Sequence, residues 1–243
     1  VLLRAREDRG AELPTGEAKT ERVRSMFDAI APRYDLVNRV ITLGLDQGWR
    51  RTTVEAVGLA PHSLLLDLAC GTGDLSRMAR RHGYRVLGAD LSWGMLAASR
   101  SGPAVQCDAR RLPLATGSLD GVVCGYALRN FTDLAASLRE SARVLRPGGR
   151  IAVLEVAEPP KGFLRTGYRI WFEHVVPVIG GVLSDPEAYR YLPRSTAYLP
   201  GEAELRRLFV EAGFSTVGRR LLYGGLSQLL TATRTGLPVG SAD

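Results

Sequence analysis

The hydrophobic positions of this chain change rhythm near residue 60. Over residues 21–57 apolar side chains recur at helical spacing, with Met26, Phe27, Ile30, Leu36, Val37, Val40 and Ile41 placed to form buried faces. Pro32 and Gly44 interrupt the stretch, which predicts a broken helical preface over residues 20–60. Short apolar runs follow at 64–68, 85–89, 104–107, 121–124 and 151–156, each with the continuity of a strand buried on both faces. Helical faces separate them. Leu75, Met78 and Ala79 follow Asp74, Ser92 is placed to cap the next helix, and Leu134, Leu138, Ala142 and Leu145 precede a stop at Pro147-Gly148-Gly149. This alternation predicts a doubly wound, parallel α/β sheet.

Residues 158–200 break that rhythm and gather Tyr168, Trp171, Phe172, Tyr189, Tyr191 and Tyr198, as an inserted cap does. A helix carrying Leu205, Leu208, Phe209 and Ala212, stopped by Gly213, leads to two closing strands near 214–222 and 226–233. The expected organisation is a flexible arm over 1–19, a single domain over 20–233 and a flexible tail over 234–243.

The turn Gly71-Thr72-Gly73 joins a strand to a helix, the geometry of a nucleotide-type site. A dinucleotide fingerprint needs a third glycine where Ser76 stands, and a phosphate loop needs Gly-Lys-Ser/Thr, which is missing. The surroundings are acidic: Asp67, Asp74, Asp90 and Asp108 all fall at or near the carboxyl ends of the first three strands, where open α/β sheets bind ligands. Carboxylates repel phosphate, so a cationic ligand with a ribose fits better. S-adenosylmethionine has a sulfonium, an ammonium, a ribose and an adenine. Asp90 is placed to accept the ribose hydroxyls and Asp108 the adenine amino group. Asp67 either reaches the amino-acid end through water or orients the loop.

Composition narrows the function classes. At 45% hydrophobic and 23% charged the chain reads as soluble and globular. No apolar run approaches about 18 residues, and the opening residues turn charged too early for a signal peptide, so a cytoplasmic location is the expectation. Three cysteines and three dispersed histidines predict neither a disulfide framework nor a metal site. The net charge of +7 invites a nucleic-acid reading, but the basic residues are scattered, and Lys19 and Lys161 are the only lysines. Nor is there an Asn/Asp-Pro-Pro-aromatic segment or a Pro-Cys pair of the kind base methylation uses. No nucleic-acid partner is expected.

Several segments resemble one family. Leu66-Asp67-Leu68-Ala69-Cys70-Gly71-Thr72-Gly73 resembles motif I of class I S-adenosylmethionine-dependent methyltransferases. Phe27-Asp28-x-Ile30-Ala31-x-x-Tyr34-Asp35-x-x-Asn38, then Trp49-Arg50, is similar to the amino-terminal signature of the ubiquinone/menaquinone biosynthesis C-methyltransferases. Leu128-Arg129-Asn130-x-Thr132-Asp133, the segment from Arg143 to Gly149 with Leu154-Glu155, and Tyr189-x-Tyr191-Leu192-x-x-Ser195 resemble further motifs of that family. Three positions depart: Asp46 stands where many members have histidine, Ala157 where serine is usual, and Gly125 where a cofactor-contacting serine is common.

The resemblance implies a seven-stranded Rossmann-like sheet and methylation of a ring carbon on a prenylated quinol, foremost demethylmenaquinol. A benzoquinol, polyketide or other small aromatic is the alternative, and a non-enzymatic scaffold that binds the cofactor the rival from another class. It implies cofactor binding by Asp67, Gly71, Thr72, Gly73, Asp90, Asp108 and Ala109, and catalysis by Arg129, Asn130, Tyr34 and Asp35. Arg129 is placed to steer a substrate oxygen and lower its pKa, being too basic to act as the base. Asp35, His174 and Glu155 remain open as bases, with His174 expected among apolar core residues. A prenyl tail leaving the cap would bring Arg165 and Arg169 near anionic lipid, a peripheral membrane contact. The family also suggests a homodimer.

Overall fold

The computed structural model describes residues 15–160 and 162–236. Its centre is a seven-stranded sheet. The strands are β1 Leu64–Leu68, β2 Arg85–Asp90, β3 Ala104–Gln106, β4 Leu119–Gly125, β5 Leu145–Val156, β6 Phe214–Leu222 and β7 Ser227–Arg234. They lie in the order β3-β2-β1-β4-β5-β7-β6. The first five are parallel, and β7 enters antiparallel between β5 and β6.

Both faces of this sheet are covered, which is why its strands read as continuous apolar runs rather than alternating ones. Neighbouring residues along each strand point to opposite faces. Leu66, Val122, Ile151 and Val153 pack on one side with Leu138, Ala142, Leu205 and Phe209. These come from α6 (Leu134–Val144) and α10 (Glu202–Glu211). Leu65, Val123, Ala152 and Leu154 pack on the other with Trp49, Val54, Val57, Leu75 and Ala79. Those belong to α3 (Leu45–Val57) and α4 (Asp74–Arg81). The helix after β2, α5 (Trp93–Ala98), is capped by Ser92, whose Oγ accepts from Met95 N at 3.1 Å.

The preface and the cap form a third, smaller core. The preface holds α1 (Gly16–Ile30), a 3₁₀ turn, α2 (Tyr34–Ile41) and α3. The cap holds α7 (Phe163–Ile170), a π-helical stretch Trp171–Val175, α8 (Val176–Leu183) and α9 (Pro186–Ser195). Ile30, Val37 and Ile41 of the preface meet Val176, Ala188 and Tyr189 of the cap, and Trp171 Nε1 donates to Ile41 O at 3.1 Å.

Four expectations change. Gly16–Thr20 open α1, so the arm expected over 1–19 is helical there; residues 1–14 lie outside the described residues. Arg234 closes β7 and is buried, so the expected tail does not begin at 234; residues 237–243 lie outside the described residues. Leu145 is not on the face of α6: the helix ends at Val144 and Leu145 begins β5, pairing with Leu119. His174 is exposed rather than a core residue. Apolar neighbours in sequence do not fix the side on which a residue lies, and in the π-helical stretch Trp171–Val175 His174 faces outward while Val176 just beyond it is buried.

Candidate active site

β1 ends in a turn that the glycines permit. Gly71 and Gly73 have φ of 55° and 86°, values that suit glycine. At Gly71 a Cβ would find only Met95 Sδ at 3.9 Å, so its backbone borders open space. At Gly73 a Cβ would run into the Ser101 side chain, so this glycine serves packing instead.

A cavity of about 110 Å3 lies beyond the turn. Gly71, Asp90, Asp108, Ala109 and Asn130 border it, and Val23 and Phe27 of α1 form part of its wall. Asp90 Oδ2 accepts from Gly71 N at 2.7 Å and Oδ1 from Ser92 N at 2.8 Å, which fixes the carboxylate at the cavity edge. Burial raises its pKa. Asp108 is held by Arg110, whose Nη2 donates at 2.7 Å. Burial works to raise the Asp108 pKa, but the hydrogen bonds and charge of Arg110 outweigh it and lower it. Asn130 Oδ1 is buried with no hydrogen-bond partner among the described residues.

A second cavity, of about 490 Å3, opens under the cap. Ile41, Trp49, Trp171 and Phe172 make it apolar, while Arg50, Asp46 and Arg129 supply its charge. Phe27, Tyr34 and Tyr126 border both cavities, so the two meet there. Tyr126 holds this junction with a left-handed backbone (φ 60°), a conformation that costs energy for a residue with a side chain.

Arg129 is positioned from three sides. Its Nη1 bonds Tyr126 O at 2.9 Å and pairs with Glu155, and its Nε donates to Ser195 Oγ at 3.1 Å. Glu155 and Ser195 are fully buried. Two motifs far apart in sequence therefore converge on one guanidinium. Lys19 secures the same loop, donating to Arg129 O and Phe131 O at 2.9 Å each beneath the ring of Tyr198. Burial brings its pKa down to about 8.

Not every expected residue borders a cavity. Asp67, Thr72, Gly73 and Asp35 line neither. Asp67 is fully buried behind the turn, with Ser76 Oγ donating to its Oδ2 at 2.6 Å. Of its two readings, the geometry matches loop orientation. Burial pushes its pKa up to about 6. Asp35 accepts from Thr72 Oγ1, and from Arg77 Nη2 at 3.3 Å, so it ties α2 to the glycine turn. Among the three proposed bases, Asp35 and His174 stand off both cavities and Glu155 is committed to Arg129.

The sequence places Arg50 within the family signature and Asp46 as a departure from the family, but gives neither a role in the site. Asp46 is almost fully buried and accepts from Arg39 Nη1 (2.6 Å), Thr42 Oγ1 (3.0 Å), Gln47 Nε2 (2.9 Å) and Arg50 Nε (3.4 Å). Their signal was present: two opposite charges one helical turn apart, beside the signature Trp49. Asp74 joins the network through Arg39 and Arg77. Burial works to raise its pKa, but Arg50, Arg39 and Arg77 together outweigh that and lower it.

A sheet of this strand order, with a glycine turn and an acidic strand end bordering a cavity, defines the class I methyltransferase fold. Solved structures agree. A SAM-dependent methyltransferase from Thermotoga maritima superposes with a TM-score of 0.61 at 18% identity, covering 86% of this chain and 98% of that one. Phosphoethanolamine N-methyltransferase 2 from Haemonchus contortus, in complex with S-adenosyl-L-methionine, gives 0.55 at 15% identity, covering 76% of this chain and 52% of that one. The ubiE/COQ5 methyltransferase family model matches residues 15–234, and the chain belongs to that family of S-adenosylmethionine-dependent methyltransferases. A demethylmenaquinone methyltransferase of Mycolicibacterium gilvum is 43% identical over 221 residues, 90% of this chain and 97% of the relative. The ubiquinone/menaquinone biosynthesis C-methyltransferase UbiE of Syntrophotalea carbinolica is 40% identical over 222 residues, 87% and 94% of the two chains.

Proposed function

We propose that this enzyme methylates a ring carbon of demethylmenaquinol to give menaquinol. One observation carries the reading: a small cavity edged by Asp90 and Asp108 meets a large aromatic cavity carrying Arg129, with Tyr34 and Tyr126 at the junction. The smaller cavity fits S-adenosylmethionine. Asp90 keeps lone pairs for ribose hydroxyls beyond the two it gives the backbone. Gly71, Asp108 and Ala109 complete the edge.

The sulfonium supplies an already activated methyl group. The protein's task is to bring the carbon nucleophile to about 3–3.5 Å and to make it nucleophilic. A ring carbon gains electron density when the neighbouring hydroxyl ionises. Arg129 supports that ionisation because its charge is permanent and Glu155 and Ser195 hold it in place. Tyr34 orients the ring at the junction. Methyl transfer would form the new carbon–carbon bond as the sulfur–methyl bond breaks; the proton of the ionised hydroxyl leaves to water in the cavity, and the ring-carbon proton moves to the ring oxygen, which restores the aromatic diol.

Exposed apolar residues flank this site on α2 (Leu36, Val40), in the turn after it (Leu43) and on α8 (Val178, Val182). They support a reading in which the prenyl tail leaves toward a bilayer. Among the described residues no helix is long and apolar enough to cross one.

The test is methyl transfer from labelled S-adenosylmethionine to short-chain demethylmenaquinol and to the ubiquinol precursor. Label should enter the naphthoquinol and be lost in Arg129→Ala and Asp90→Ala. Label in the benzoquinol alone changes the substrate. Protein that binds the cofactor and labels neither quinol refutes the reading.

A further inference from the structure

Arg50 is buried on α3, yet its side chain is only partly engaged. Nε donates to Asp46 Oδ2 at 3.4 Å and lies 3.8 Å from Asp74 Oδ2. No hydrogen bond among the described residues uses Nη1 or Nη2, and neither atom is among the sealed, partnerless ones. The residue borders the larger cavity. Its terminal donors therefore face space that a ligand fills, and an arginine remains charged there.

The placement relative to Arg129 is informative. Tyr126 contacts both guanidiniums. Arg129 Nη1 bonds its carbonyl, while the Arg50 guanidinium lies over its ring at 5.7 Å. Arg50 Nη1 also approaches the point where the cavities meet, 3.6 Å from where a Cβ on Gly125 would stand. Arg50 and Arg129 thus both border one cavity and both touch its junction residue, one at the ring and one at the backbone. Each has a carboxylate behind it: Asp46 for Arg50, Glu155 for Arg129. A 1,4-diol on an aromatic ring has its oxygens at opposite ends, which is the spacing problem two such cations solve.

We infer that Arg50 is a second substrate-binding residue, taking the ring oxygen remote from Arg129 through its terminal guanidinium nitrogens. This rests on the quinol reading above. A purely structural Arg50 would need only its Nε and its charge toward Asp46 and Asp74. Lysine at this position retains charge there but lacks the spare planar donors.

Trp49 and Trp171 both border the cavity, so quinone binding reports through quenching of tryptophan fluorescence, without turnover. Short-chain demethylmenaquinol and its two mono-O-methyl ethers are titrated into the parent protein, which requires no variant. If both oxygens are held, each ether binds about 10- to 100-fold more weakly than the diol, the loss expected for a charge-assisted hydrogen bond. Arg50→Lys should bind the diol about 10-fold or more weakly, with S-adenosylmethionine affinity unchanged. It should also no longer distinguish the diol from the ether blocked at the remote oxygen. Only one ether losing affinity, or an Arg50→Lys protein that binds the diol as the parent does, overturns the inference. Tight, Arg50-dependent binding of a diol that is never methylated supports the inference while refuting the proposed reaction.

Discussion

Glu155→Gln removes the charge opposite Arg129 while leaving the volume of the side chain almost unchanged. Glu155 has no exposed surface, and Arg129 has 5%. Breaking a buried pair by neutralising one partner costs about 3–5 kcal/mol, because the other charge stays behind without compensation. Two features place this case toward the lower end. Glutamine retains an oxygen to accept from Val156 N, which lies 2.8 Å from the carboxylate, and Arg129 borders a cavity that admits water. For a chain of this length each kcal/mol is about 2–4 °C in melting temperature, so a fall of roughly 6–12 °C is expected. The assay is urea denaturation with a thermal scan, on Glu155→Gln, Arg129→Met and the double variant. The double variant should lose less than the sum of the singles, since it leaves no unpaired charge. A loss below about 1 kcal/mol for Glu155→Gln, or strict additivity, would refute the argument that this pair holds the loop.

Three further outcomes are expected. Burial holds the Asp67 carboxyl near 6 in the folded protein against its ordinary 3.8, so the native state binds more protons between those values. Its contribution is full below about 4 and is lost as pH rises through 6, by an amount on the order of 3 kcal/mol; urea midpoints of Asp67→Asn at pH 4.5 and 7 should show a flatter dependence than the parent. Gly180→Ala drives a methyl into the buried ring of Tyr189, and calorimetry should show a destabilisation of about 1–3 kcal/mol confined to the packing of α8 on α9. Asp28 ties α1 to the start of α5, accepting from Ser92 Oγ at 2.6 Å and Gly94 N at 2.7 Å; Asp28→Ala should speed release of S-adenosylmethionine about 10-fold in stopped flow, with unchanged rates arguing that α1 does not cover the cofactor.

The sheet was legible because a strand buried on both faces has little choice but to be apolar throughout, as Leu65, Leu66, Val122 and Val123 are. The glycine turn and Asp90 were legible for a related reason: a tight turn and a fixed acceptor leave few residue types. What stayed hidden depends on distant partners. Nothing near Asp35 in the chain reveals that Thr72 and Arg77 will take it away from the cavities. Arg129 reads as a catalytic cation, but its dependence on Glu155 and Ser195, 26 and 66 residues away, exists only once the cap is docked. Leu145 was misplaced because β5 carries Pro147, Gly148 and Gly149 near its start, where its pairing with β4 shifts register.

The antiparallel entry of β7 between β5 and β6 has a consequence for synthesis. As the chain leaves the ribosome, β1 to β5 can assemble in order, each against a neighbour already made. β5 then has one open edge, since its second partner is encoded about seventy residues later, beyond the whole cap. During that interval β5 presents unpaired amides and the apolar row Ile151–Leu154 to any other strand it meets. The nascent protein is therefore most prone to aggregate late in translation, and a stop codon shortly before Ser227 should yield insoluble product even though every residue bordering the smaller cavity has already been made.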